Sequence, residues 1–134
     1  EDKSILDLYE GRWGHTDENY VMDNLKFLGF GESDFKKIRL IKGFYQETLK
    51  VKNKYVKKIA ILHLDCDLYQ SYKLCLDYFY PKVVKGGLIV FDEYNNSIDK
   101  FPGAKKAIDE FFGDQKKEIK RDKQMGKYYI VKKN

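Results

Sequence analysis

Asp65 ends the apolar run Ile59-Ala60-Ile61-Leu62-His63-Leu64, and Asp92 and Glu93 end a second one, Leu88-Ile89-Val90-Phe91. If both runs are parallel strands of one sheet, a right-handed crossover brings the three carboxylates together along one edge. Carboxylates crowded into one cleft repel one another and raise each other's pKa, whereas Mg²⁺, Mn²⁺ or Ca²⁺ supplies compensating charge through oxygen ligands. A hard divalent cation is therefore the chemistry that Asp65, Asp92 and Glu93 suit. The bland alternative is that they are loop acids, helix caps or partners of nearby lysines. A zinc site is not expected, because His15, His63, Cys66 and Cys75 do not have the spacing of a closed soft-ligand set. Asp67 reads as the cap of the following helix, and His63, inside an apolar strand, as a hydrogen-bonded core residue.

These acids need strands to carry them, and the chain supplies the pattern. Residues 58–65 and 88–91 are nearly continuous apolar sequence, as in parallel strands covered on both faces. Between them the spacing predicts a helix over 70–80, with Leu68, Tyr72, Cys75 and Phe79 marking its buried face, then Pro81 and a Gly86-Gly87 turn. Ala104, Ala107, Ile108 and Phe111 have helical spacing, and residues 118–122 and 127–132 read as a closing strand pair. Upstream, Ser4 to Asp7 reads as the tail of a strand. Asp17 and Glu18 open a helix with Val21, Leu25 and Leu28 on one face, and Lys37 to Ile41 alternates as a half-exposed strand does. Alternating strands and helices define an α/β fold with ligands outside the carboxyl ends of the strands, where the acids fall.

The bulk numbers fit one domain: 134 residues, 43% hydrophobic and 16% aromatic, bury one modest core. No run approaches the length of a membrane helix, no secretory signal is visible, and two cysteines make no disulfide framework, so a cytoplasmic protein is expected. The net charge of +5 comes from a lysine-rich surface with Arg12, Arg39 and Arg121 as the only arginines, which argues against base-reading of nucleic acid. Because the chain starts at Glu1 with a strand already under way, it reads as a single domain over 1–134 that is incomplete at its amino end.

The segment Leu62-His63-Leu64-Asp65-Cys66-Asp67-Leu68-Tyr69-Gln70-Ser71, then Tyr80-Pro81, Gly86-Gly87 and Asp92-Glu93-Tyr94, resembles the signature of the macrocin O-methyltransferase family. Pro102 to Asp109 resembles the family's helix after the acidic pair, Asp7-Leu8-Tyr9-Glu10-Gly11 its Asp-Ser-Phe-Glu-Gly, and Lys42 to Leu49 its Gly-Trp-Phe-x-Asp-Thr-Leu. The resemblance implies a Rossmann-like class I methyltransferase sheet in the order 3-2-1-4-5-7-6, mostly parallel with a carboxyl-terminal antiparallel hairpin. Strand 1 and its glycine-rich loop are missing ahead of Asp7.

By that likeness the activity is transfer of a methyl group from S-adenosylmethionine to a hydroxyl of a sugar or other small molecule, helped by a divalent cation, magnesium by preference. Asp65, Asp92 and Glu93 fall on the family's metal ligands, Glu93 replacing its usual Asp. Asp7 falls on the ribose-binding acid, and Gly43 and Phe44 lie beside adenine. Asp65 would also accept the hydroxyl proton. Neither a nucleic-acid nor a membrane partner is expected, and a homo-oligomer is compatible with the likeness. The rival reading is an incomplete, non-catalytic Rossmann-like module that keeps a metal or sugar site, and without the glycine-rich loop the 134-residue chain is expected to bind S-adenosylmethionine poorly.

Overall fold

In the computed structural model, residues 17–51, 56–95 and 101–133 are described. Strand β1 (Ile59–Leu64) runs parallel to β2 (Val83–Phe91), with Leu62 beside Ile89 and Leu64 beside Phe91. Helices are numbered α1 to α5 along the chain, and α4 (Tyr69–Phe79) makes the crossover between these two strands. Its apolar residues recur at i, i+3 and i+4, so Tyr72, Cys75 and Leu76 share one face and are buried. A short 3-10 turn, Tyr80–Lys82, carries Pro81 and ends the helix.

The glycine pair expected as a turn ahead of the second strand lies inside it. Between Ile59 and Ile61 the register jumps from Val83 to Leu88, so β2 carries extra residues there. Gly86 sits at φ +78°, and its N–H donates to the Lys132 carbonyl at 2.7 Å. A Cβ on Gly87 would lie 2.6 Å from Val83 Cγ1 and 2.8 Å from the Val84 carbonyl oxygen, which leaves room for glycine alone.

The sheet closes with β3 (Lys120–Arg121) and β4 (Tyr128–Val131), an antiparallel pair whose second strand lies antiparallel to β2, Ile130 beside Ile89. The order is β1-β2-β4-β3. Helix α5 (Pro102–Phe112) buries Ala104, Ala107, Ile108 and Phe112 and packs against α4. Its small residues let the two helices approach, while Phe112 meets Phe91 edge-on at 5.8 Å. One core results, built from Tyr72, Leu76, Ile89, Phe91 and Ile108 with their neighbours.

Upstream, α1 (Glu18–Phe27) starts where expected. The Asp17 side chain accepts the Tyr20 N–H at 2.8 Å, yet no residue of α1 is buried. A short α2 (Glu32–Phe35) follows, and α3 (Tyr45–Val51) places Thr48 and Leu49 in the core beside α4.

Three expectations change. Residues 37–41 form no strand, because alternation makes a strand only beside a partner, and none pairs with them among the described residues. Among the described residues β1 is covered on one face: Ile61 is 67% exposed and the His63 side chain 52% exposed, so His63 is not a core residue. Within the described sheet β1 is an edge strand. The strand expected over residues 4–7 lies outside the described residues. No described helix is long and apolar enough to cross a membrane.

Candidate metal centre

Two segments form the carboxyl edge of the β1–β2 pair. The chain leaves β1 through Asp65 and turns at once. Leu68 N–H donates to the Cys66 carbonyl at 2.6 Å, and Asp67 between them takes a left-handed backbone at φ 57°. Aspartate tolerates that conformation better than a branched residue would. The turn directs Asp67 back toward the sheet, where its N–H donates to Glu93 Oε2 at 3.3 Å. Asp67 is therefore not the helix cap. The cap position of α4 is Leu68, and no side chain bonds to the helix end there.

The other segment is Asp92-Glu93 beyond β2. The Asp92 N–H donates to the Leu64 carbonyl at 2.9 Å, which continues the strand ladder by one residue. Beyond Phe91 the backbone bends, and the two acids take different further partners while their side chains stay hydrogen-bonded to each other. Glu93 enters the side covered by α4 and is buried. Asp92 stays on the side of His63, whose Nε2 lies 3.6 Å from Asp92 Oδ1, and accepts a hydrogen bond from the Lys127 ammonium group.

One carboxylate oxygen from each of Asp65, Asp67 and Glu93 falls within 4.8 Å of the others. The structure thus brings Asp65 and Glu93 together with Asp67, and Asp92 beside them is hydrogen-bonded to both Lys127 and Glu93. Burial, opposed by the Tyr72 hydrogen bond and reinforced by the charges of Asp65 and Asp67, pushes the Glu93 carboxyl up to about 7. Burial, then Asp65 and Asp92, also raises Asp67. Asp92 moves the other way. Burial alone would raise it, but the hydrogen bond and charge of Lys127, a hydrogen bond with Glu93 and the neighbouring His63 hold it below the usual carboxylate range.

Tyr72 fixes Glu93 from α4. Its hydroxyl lies 2.7 Å from Glu93 Oε2 and 2.9 Å from the Leu64 carbonyl oxygen. One hydroxyl proton serves two acceptors, so when Glu93 carries its own proton both contacts are satisfied, and when it is ionised a positive partner is in demand. Behind this pair, Cys66 and Cys75 are free thiols in contact. Their mutual hydrogen bond, with burial, raises Cys66.

The donor set suits a hard cation. Oxygens bound to one Mg²⁺, Mn²⁺ or Ca²⁺ at about 2.0–2.6 Å lie at most roughly 4–5 Å apart, and three carboxylates within 4.8 Å meet that limit. Asp65 is exposed, so one side of the cluster faces solvent.

Of the residues expected at the cofactor, Asp7 lies outside the described residues. Gly43 and Phe44 sit at the amino end of α3, where Gly43 has φ +136° and a Cβ on it would approach Thr48 Cγ2 to 2.8 Å. The Phe44 carbonyl accepts from the Thr48 N–H at 2.9 Å and hydroxyl at 3.0 Å, and the residue is 77% exposed.

A parallel strand pair joined by a helix and extended by an antiparallel hairpin in the order β1-β2-β4-β3 is the 4-5-7-6 half of a class I methyltransferase sheet. The family model described as Macrocin-O-methyltransferase (TylF) matches residues 15–129, and the chain belongs to that family. Over 76 residues it is 33% identical to the demethyldecarbamoylnovobiocin O-methyltransferase of Streptomyces niveus, covering 57% of this chain and 27% of that one. The solved structure of the O-methyltransferase NovP superposes with a TM-score of 0.69 at 25% identity, over 89% of this chain and 46% of NovP. CalS11, described as a TDP-rhamnose 3'-O-methyltransferase, shares the fold with a TM-score of 0.66 at 23% identity, over 84% of this chain and 50% of CalS11. The chain therefore spans about a quarter of the curated relative and about half of each solved structure.

Proposed function

We propose that this chain carries the metal- and acceptor-binding half of an S-adenosylmethionine-dependent O-methyltransferase that acts on a hydroxyl of a sugar or another small molecule. The observation that carries this reading is the convergence of Asp65, Asp67 and Glu93 at the carboxyl edge of the sheet, in a chain of this family. A divalent cation held there would supply the Lewis acidity that lowers the pKa of an acceptor hydroxyl and neutralises the cluster.

The residues divide the remaining work. Glu93, buried and anchored by Tyr72, fixes the inner wall of the site. Asp67, set by its left-handed turn, fixes the second side. Asp65 faces solvent, where an acceptor enters, so its carboxylate is the one placed to take the hydroxyl proton. Holding the nucleophilic oxygen in line with the methyl donor supplies the rest by orientation. Asp7, Gly43 and Phe44 are the residues assigned to the ribose and adenine of the donor.

The test has two parts. Calorimetric titration of the 134-residue chain with Mn²⁺ is expected to give one site, lost in Asp65→Asn and Glu93→Gln. A chimera in which the amino-terminal half of a family relative precedes residue 1 is expected to transfer labelled methyl groups to sugar hydroxyls, and to stop when EDTA is added. Mn²⁺ binding unchanged in both variants, or methyl transfer at full rate in EDTA, overturns the metal-assisted reading.

A further inference from the structure

Cys66 and Cys75 are both free thiols, and neither has a part in the chemistry proposed above. The fold brings them together from two directions. Cys66 lies in the turn that leaves β1, where its carbonyl accepts the Leu68 N–H at 2.6 Å. Cys75 stands one turn along α4 from Tyr72, on the same inward face, and the Tyr72 hydroxyl fastens that face to the end of β1 through the Leu64 carbonyl at 2.9 Å. As a result the two thiols are hydrogen-bonded to each other. Their exposure differs. Cys75 is 1% exposed, whereas Cys66 is half-buried and shares a further hydrogen bond with the Tyr45 side chain of α3. Solvent therefore meets the pair at Cys66.

We propose that Cys66 and Cys75 form a reversible oxidation site, in which a hydroperoxide converts the two thiols into a disulfide that staples the turn after β1 to α4. The reaction is independent of the methyl-transfer reading, and it balances with the peroxide as sole oxidant. The Cys66 sulfur attacks one peroxide oxygen and the O–O bond breaks. Cys66 becomes a sulfenic acid, and its proton goes to the departing oxygen, which leaves as an alcohol or, from hydrogen peroxide, as water. The Cys75 sulfur then attacks the Cys66 sulfur. An S–S bond forms, the S–O bond breaks, and hydroxide leaves as water with the Cys75 proton. Two thiols have lost two electrons and one peroxide has gained them. The contact between the thiols puts the resolving sulfur beside the sulfenic acid, which favours the disulfide over further oxidation. The bond closes residues 66–75 into a loop that holds Asp67 and Tyr72, and a dithiol reductant reopens it by exchange.

The experiment treats the folded 134-residue chain with hydrogen peroxide, quenches with catalase, blocks remaining thiols with N-ethylmaleimide and reads the mass without reduction. Reduced glutathione in a parallel tube sets the time of exposure, which ends when it is fully oxidised. The expected product is a monomer short of two hydrogens that takes up no maleimide and is restored by dithiothreitol. Trypsin cuts after Lys73, between the two cysteines, so the map should show their peptides joined, with any oxygen added at Met22 or Met125 assigned separately. In Cys66→Ser the buried Cys75 is expected to keep its thiol through the same exposure. In Cys75→Ser, Cys66 is expected to give a sulfenic acid that dimedone traps. The oxidised wild type is expected to melt at or above the temperature of the reduced form, since a cross-link that fits the native geometry restricts the unfolded chain.

Two maleimides on the treated wild type overturn the proposal. So do disulfide-linked dimers in place of the monomer product, and a sulfinic acid on Cys66 beside an unmodified Cys75. A lower melting temperature after oxidation also overturns it, because the bond would then form only by pulling the turn away from α4. Oxidation of Cys75 in Cys66→Ser as fast as the pair reacts in wild type removes Cys66 as the point of entry and overturns the order of steps. Circular dichroism checks the fold of each serine variant, and where one is unfolded the wild-type products decide by themselves.

Discussion

Residues 56–133 and residues 17–51 carry similar apolar side chains and use them differently. In the first region, Tyr72, Leu76, Ile89 and Ile108 are fully buried between α4, α5 and the sheet. In the second, Phe27 is 90% and Leu28 70% exposed, and among the described side chains Thr48 and Leu49 in α3 are the buried ones. Composition does not separate the two regions; access to a partner does. A helix such as α1 can be well capped and correctly phased, yet without a covering surface its apolar face contributes little.

The comparison is broken most forcefully at the centre of the packed region. Leu76→Ala leaves a void between α4 and the sheet and is expected to lower stability by about 2–5 kcal/mol, read from urea denaturation. A loss below about 1 kcal/mol would mean that the core collapses onto the gap and is looser than its burial implies.

A smaller effect is expected at Asp109 on α5, which accepts from the Tyr94 hydroxyl at 2.8 Å and pairs with Lys105. Burial alone would raise its carboxyl, but the hydrogen bonds of Lys105 and Tyr94 and the charges of Lys105 and Lys116 hold it below the ordinary value. A depressed carboxylate stabilises the fold above its unfolded pKa, and that contribution is lost as pH falls through the folded one. Asp109→Asn should therefore cost about 1 kcal/mol near neutral pH, with the gap to wild type closing in acid below the ordinary aspartate range. A gap that is constant with pH would assign the loss to packing.

The smallest effect sharpens the contrast from the other side. Phe27→Ser removes an aromatic ring that is already in water, and is expected to change stability by no more than about 0.5 kcal/mol in the same denaturation. A loss comparable with that of Leu76→Ala would mean that something covers α1 in solution.

Legibility in the sequence follows the same division. The parallel pair, the closing hairpin and the existence of α4 could be read because each depends on short-range periodicity and a right-handed crossover. Of the expected α4 face, Tyr72 and Cys75 are buried, Leu68 is exposed, and Leu76 takes the central place. Residues 37–41 show the limit: their alternation states what a strand would look like without stating that a partner is present. Ile61 and His63 show it again, since a continuous apolar run predicts cover on two faces and β1 has one among the described residues.

At the site, the meeting of Asp65 with Glu93 followed from strand order. The part of Asp67 did not, because an aspartate ahead of a helix ordinarily reads as a cap and nothing local announces a left-handed turn. Lys127 was out of reach for another reason. Its contact with Asp92 depends on the β2–β4 register, and a sequence gives the strands without the offset between them. Once the register is known, the contact is a matter of counting one residue outward from Phe91 and Tyr128.

β2 lies between β1 on one side and β4 on the other, so its peptide groups are engaged along both flanks, whereas β1 has one neighbour in the described sheet. Transferred into heavy water, the protein should keep hydrogen longest on the amides of residues 88–91, and give it up early along the outward flank of β1. The strand that delivers Glu93 is thus also the one whose opening requires the whole sheet to come apart, which ties the persistence of the carboxylate cluster to the slowest isotope clock in the molecule.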